Sequence, residues 1–133
     1  MMMMTEEEAY RMSPLALAYV GDAVWELEVR ATLIGRGERR PQQLHRLAVE
    51  KVRANAQADR LRRIADALSE RERAVVRRGR NARSRSVPRS ASVADYRAST
   101  GVEALLGYLH LSGLTERLRE IVQLLLMDEE KWT

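Results

Sequence analysis

The chain has 133 residues, a length that suits one domain with its own core. Lys and Arg number 23 against 19 Asp and Glu, a formal charge of +4, and only Lys51 and Lys131 are lysines. The cationic surplus is therefore arginine, the side chain best matched to phosphate. Cysteine is absent, which excludes disulfides, thiolate catalysis, Cys-type zinc sites and iron–sulfur clusters. No apolar run approaches the roughly 20 residues of a membrane span, and the opening MMMMTEEE lacks an apolar signal core. The expectation is a soluble, cytoplasmic protein with no membrane partner.

Residues 1–12 read as a flexible N-terminal extension. Ser13-Pro14 reads as an N-cap followed by proline at the first helical position. From Leu15 to Ile34 the only breaker is Gly21, and the pattern predicts one long helix. Pro41 opens a second helix reaching about Ala54. A third covers Ala56–Leu68, on the spacing Leu61, Ile64, Ala65, Leu68. Ser69 and Glu72 form a capping box for a short helix reaching about Arg78. Ser92 can cap a helix to Leu111, Ser112-Gly113 stops it, and an amphipathic helix runs from Thr115 to about Met127. Nowhere do Val, Ile and aromatics alternate over a strand length. The expected fold is all-α, one domain over 13–128 with a tail over 129–133.

One segment breaks the regularity. Residues 79–91, GRNARSRSVPRSA, mix Gly, Pro, Asn and Ser without an apolar period, and residues 77–89 hold six Arg and no acid. Composition alone leaves a solvated loop or a targeting signal open beside a polyanion-binding loop. Arg36, Arg39, Arg40 and Arg46 form a second, weaker basic cluster diluted by Glu38.

Two helices are too apolar to be ordinary. Leu15–Trp25 is apolar on every side except at Asp22, so complete burial calls for more neighbours than a small chain supplies, most simply a second copy of itself. Gly21 beside Asp22 lowers helix propensity by about 1 kcal/mol, which suggests close approach by another helix. In the second helix Glu103 is the only acid between Asp95 and Glu116, with Thr100 and Gly107 on its face. A lone carboxylate in apolar surroundings is costly unless a cation compensates it. Two such acids have one economical explanation: they meet around a divalent metal. An arginine partner or a cap on a neighbouring helix is the alternative for either, and the residues alone leave it open.

The words around these acids point further. LAYVGDAVWELEVR (17–30) resembles the signature helix of the ribonuclease III catalytic domain, and STGVEALLGYLHL (99–111) resembles that domain's second metal-ligand helix. With LHRLAVEKVRANAQA (44–58), RRGRNARS (77–84) and DYRASTGVEALLGYL (95–109), the order and spacing are most similar to the Mini-III ribonucleases, which are that catalytic domain without its double-stranded-RNA-binding domain. The resemblance implies an all-helical homodimer that cleaves double-stranded RNA with Mg²⁺, leaving 5′-phosphate and 3′-hydroxyl ends. It also implies maturation of the large ribosomal RNA precursor (23S), with room for a ribosomal-protein accessory factor. The family's catalytic, metal-binding acids fall on Asp22 and Glu103. Ribonuclease III itself has acids where this chain has Leu15, Ala18 and Thr100, and Mini-III proteins share the thinner set.

On that reading Thr100 could hydrogen-bond a metal-held water, and Glu26, one turn after Asp22, could stand behind the ligands or form a surface ion pair. Duplex RNA is recognised by shape and phosphate rather than by base edges. Arg77, Arg78, Arg80, Asn81, Arg83, Arg85 and Arg89 are the candidate contacts. His45 and His110 have no companion at ligand spacing. The rival is a non-catalytic helical RNA-binding or ribosome-assembly protein, which would need neither acid.

Overall fold

In the computed structural model, residues 3–51, 54–82 and 92–127 are described, and among them the chain forms seven α-helices and no strand. In chain order these are α1 (Glu6–Arg11), α2 (Pro14–Gly35), α3 (Pro41–Lys51), α4 (Ala54–Ile64), α5 (Glu70–Asn81), α6 (Val93–Leu111) and α7 (Thr115–Leu126), with a 3₁₀ turn at Ala65–Ala67. The capping signals act as their chemistry requires. Ser69 Oγ accepts from the Glu72 amide and the Glu72 carboxylate accepts from the Ser69 amide, closing the box at the start of α5. Ser92 Oγ accepts from the Asp95 amide and starts α6. Ser13 makes no such bond, so Pro14 alone marks the start of α2. Helix α5 continues past Arg78 to Asn81, because Gly79 lies against α6 where a side chain would strike Gly101 and Ala104.

Helix α6 is the axis of the bundle. From Ala98 to Leu109 every residue is buried except Glu103, and α2, α4, α5, α7 and α1 pack around it. Leu105, Leu106 and Leu109 are essentially inaccessible, each contributing about 1.5–3 kcal/mol of burial. Helix α4 is tied to α2 by a buried guanidinium: Arg60 lies over the Trp25 ring at 5.1 Å and donates to Gln57 Oε1 at 3.1 Å. Helix α2 itself is buried on one side only. Leu15, Tyr19, Leu27 and Ile34 stay exposed, Tyr19 at 83 %.

Residues 6–11 depart from the expected loose extension. Thr5 and Glu8 close a capping box, Ala9 is fully buried, and the amides of Met3 and Met4 donate to the Leu111 carbonyl at 3.0 and 3.1 Å. Six residues are too few for a stable isolated helix, so docking on α5 and α6 is what holds α1. The docking partners lie more than 60 residues away, and no local pattern announces them.

A second long-range tie closes the base of the bundle. The Arg117 guanidinium donates to both Glu72 carboxylate oxygens at 2.7 and 2.8 Å and to the Ala67 carbonyl at 2.8 Å. That cation holds the largely buried Glu72 carboxyl below the usual carboxylate range. Arg117→Ala should lower stability by about 2–3 kcal/mol, because it strands a buried carboxylate. A depressed folded pKa contributes stability above the unfolded value that disappears as pH falls. The difference in melting temperature between parent and variant, roughly 10 °C at neutral pH, should therefore shrink on acidification below pH 4 to 5.

Candidate active site

The site is built where α2 crosses α6. A Cβ at Gly21 would collide with the Glu103 carbonyl oxygen, and one at Gly107 with the Leu17 carbonyl. Only hydrogen at both positions lets the two backbones touch, and this contact sets Asp22, the next residue on α2, against the side chain of Glu103. The two carboxyls meet within hydrogen-bonding reach. Burial first, and then the facing Asp22 carboxyl, push the Glu103 pKa up to about 8. Glu26, one turn along α2, adds repulsion to Glu103, while its own carboxylate lies 3.6 Å from Arg30.

Thr100 is buried and donates its proton to the Tyr96 carbonyl at 3.1 Å, an i−4 bond within the helix. Its neighbour Ser99 instead donates to Glu103 Oε1 at 3.4 Å and draws the Glu103 pKa downward. The i, i+4 spacing from Ser99 to Glu103, one helical turn, is the signal in the sequence that points to this contact.

Two hard oxygen ligands facing each other, with repulsion that a cation would relieve, suit a divalent metal such as Mg²⁺ that keeps most of its waters. Among the described residues no group of three or more His, Asp or Glu gathers as a closed metal cage. His45 and His110 are both exposed, His45 in a cleft between α2 and α3.

Of the candidate RNA contacts, Arg77, Arg80 and Asn81 are exposed on the last turn of α5, with the stem of Arg80 running over Gly101. Arg78 is engaged elsewhere, since its guanidinium donates to the carbonyls of Tyr10 and Met12 and so closes the C-terminal end of α1. In this structure its donors are taken up by α1. Arg83, Arg85 and Arg89 lie outside the described residues. In the weaker cluster, Arg40 pairs with Glu38 at 3.1 Å, Arg39 bonds the Ile34 carbonyl, and Arg46 pairs with Glu50 at 3.3 Å. Those cations are largely engaged at the end of α2 and along α3.

An all-α bundle with paired acids at its central helix crossing is the architecture of a ribonuclease III-type endonuclease domain, and residues 15–114 match the Ribonuclease III domain. A crystal structure of a protein from Fusobacterium nucleatum superposes with a TM-score of 0.79 at 31 % identity, covering 90 % of this chain and 95 % of that one. Mini-ribonuclease 3 of Symbiobacterium thermophilum is 54 % identical over 110 residues, 83 % of this chain and 85 % of the relative. Mini-ribonuclease 3 of a Thermoanaerobacter species is 45 % identical over 122 residues, 92 % and 86 % of the two chains. The chain belongs to the Mini-ribonuclease 3 family of ribonuclease III-type endoribonucleases. Among the described residues, no helix is long and apolar enough to cross a membrane.

Proposed function

We propose that the chain is a Mg²⁺-dependent endoribonuclease that cuts double-stranded RNA as a homodimer, and that its cytoplasmic substrate is the precursor of the large (23S) ribosomal RNA. The observation that carries this reading is the meeting of Asp22 and Glu103, two acids 81 positions apart. Their carboxylates would hold the ion. When bound, Mg²⁺ supplies charge neutralisation at the scissile phosphate and acidifies a water. The residues of the chain do the rest. Ser99 orients the Glu103 carboxylate by a hydrogen bond, and Glu26 adds negative potential that favours a cation between the acids. Arg77, Arg80 and Asn81, continued by Arg83, Arg85 and Arg89, hold the duplex through its phosphates. Water adds to phosphorus as the P–O3′ bond breaks, and the departing oxygen takes a proton. The products are a 5′-phosphate and a 3′-hydroxyl.

The face of α2 that the fold leaves open supports the dimer. Leu15, Tyr19, Leu27 and Ile34 form one stripe flanking Asp22, beside a cleft of about 440 Å³ lined by Leu33, Leu44 and Ala48. A second copy covering this stripe buries it and sets two acid pairs against one duplex, one for each strand. The test is incubation of purified protein with a precursor ribosomal RNA and with a plain RNA duplex, each with Mg²⁺ or with EDTA. Internal cuts with 5′-phosphate ends in the Mg²⁺ arms alone are expected. A duplex left intact in Mg²⁺ overturns the reading.

A further inference from the structure

Helix α5 carries arginines on more than one side. Arg77 and Arg80 are exposed at its end, whereas Arg71 and Arg78, seven residues apart and so on one face, are partly covered by α1, Arg71 keeping about a third of its side chain exposed (36 %). Arg71 pairs with Glu7 at 2.7 Å and Glu6 at 3.6 Å, and its guanidinium lies 4.3 Å from the centre of the Tyr10 ring. Arg78 bonds the last carbonyls of α1 and lies 5.2 Å from the centre of the same ring. Tyr10 in turn meets Tyr108 edge-on at 6.3 Å, and the Tyr108 hydroxyl donates to Glu6 at 2.8 Å. Carboxylates, carbonyls and an aromatic ring are what a guanidinium takes when phosphate is not there.

Helix α1 is held in two ways: Ala9 is buried and Tyr10 packs against the core beside Tyr108, while the acids and last carbonyls of α1 are bound by Arg71 and Arg78. The second, ionic part of that hold weakens with salt and is open to a competing polyanion. Arg78 stands beside Arg77 and one turn below Asn81, where the basic segment begins.

We propose that α1 is an intramolecular acidic cover on a second phosphate-binding face, and that Arg71 and Arg78, once uncovered, extend the surface that grips duplex RNA. The proposal rests on the duplex-RNA reading above. It assigns the acidic Thr5–Glu8 segment a role in moderating affinity. Duplex RNA has to displace α1 to gain these two cations, so short or weakly held duplexes are disfavoured relative to long ones.

The experiment measures binding of an RNA duplex in EDTA, where cleavage is blocked, by fluorescence anisotropy from about 50 to 200 mM salt. Each added phosphate contact steepens the slope of log K against log salt by about 0.9. Glu6→Gln with Glu7→Gln keeps Ala9 and Tyr10 in place but loosens Arg71, and it should steepen the slope by about one contact. Removal of residues 1–12 should steepen it by about two. Adding Arg71→Gln to the Glu6→Gln/Glu7→Gln chain should return the slope to that of the parent. Equal slopes for the parent and the double variant overturn the proposal. So does a steepened slope that survives Arg71→Gln, because the gain would then come from lost acidic charge alone. A parent that binds no duplex RNA overturns the functional reading, and this inference with it.

Discussion

Asp22→Asn and Glu103→Gln are each expected to reduce kcat on duplex RNA at least about a thousandfold, about 4 kcal/mol of transition-state stabilisation, without loss of helical structure. Asp22 is exposed and Glu103 only partly so, and each amide is isosteric with the acid it replaces, so both variants fit the same space. Glu103→Gln should also stabilise the metal-free protein, and the pH dependence shows why. Unfolded, this carboxyl ionises near 4.5; folded, it does so only near 8. Between those values the folded chain holds the extra proton, so its stability falls as pH rises. Glutamine carries no such penalty. The melting temperature of Glu103→Gln in EDTA should therefore exceed that of the parent by a margin that grows from pH 5 to pH 8. Mg²⁺ should close the gap by raising the parent alone. Identical melting curves for the two proteins at all these pH values would mean that the acids do not oppose each other. The activity lost and the stability gained share one cause, the trade seen where function demands a strained charge arrangement.

Gly21→Ala is expected to be the most damaging single change to the fold. The added methyl meets the Glu103 backbone carbonyl, not the flexible end of a side chain, and neither α2 nor α6 can yield without opening the bundle. A loss of about 4 kcal/mol or more is expected, beyond the usual range for overpacking and a large share of the 5–15 kcal/mol that holds a small domain together. Gly107→Ala should behave alike, since its methyl meets the Leu17 carbonyl at the same crossing. Gly35→Ala is the internal control. It has open space around it and an ordinary backbone conformation, so the change should be neutral or stabilising by up to about 1 kcal/mol. Urea unfolding of the three variants followed by circular dichroism separates these outcomes. Gly21→Ala should lose activity together with stability, whereas Asp22→Asn one residue away loses activity alone.

The helices are legible because their signals are local. Pro14, the Ser69–Glu72 box and Ser92 act through backbone groups within one turn, and the periods of α4 and α7 express only which side meets the core. Asp22 and Glu103 stand out because each interrupts an otherwise apolar helix. Gly21 foretells a close approach, though not its partner. The docking of α1 escapes a sequence reading because its anchors, Arg71, Arg78 and Tyr108, are distant along the chain and look like surface charge and ordinary core. Arg77 and Arg78 are chemically identical neighbours, but a helix turns them about 100° apart, so α1 engages Arg78 and leaves Arg77 exposed. Glu72 announces itself as a cap, yet it is also the seat of Arg117, which no spacing rule connects to it.

From the order of its residues this protein obtained its helices from α2 onward, most of their starts, and the two misplaced acids, since backbone hydrogen bonding and hydrophobic period act over a few positions. The crossing of α2 with α6 decided that the acids confront each other, and the docking of α1 decided that Arg78 is engaged while Arg77 stays exposed. Those outcomes depend on which surfaces meet, and backbone contact, burial and charge pairing act through space without regard to distance along the chain.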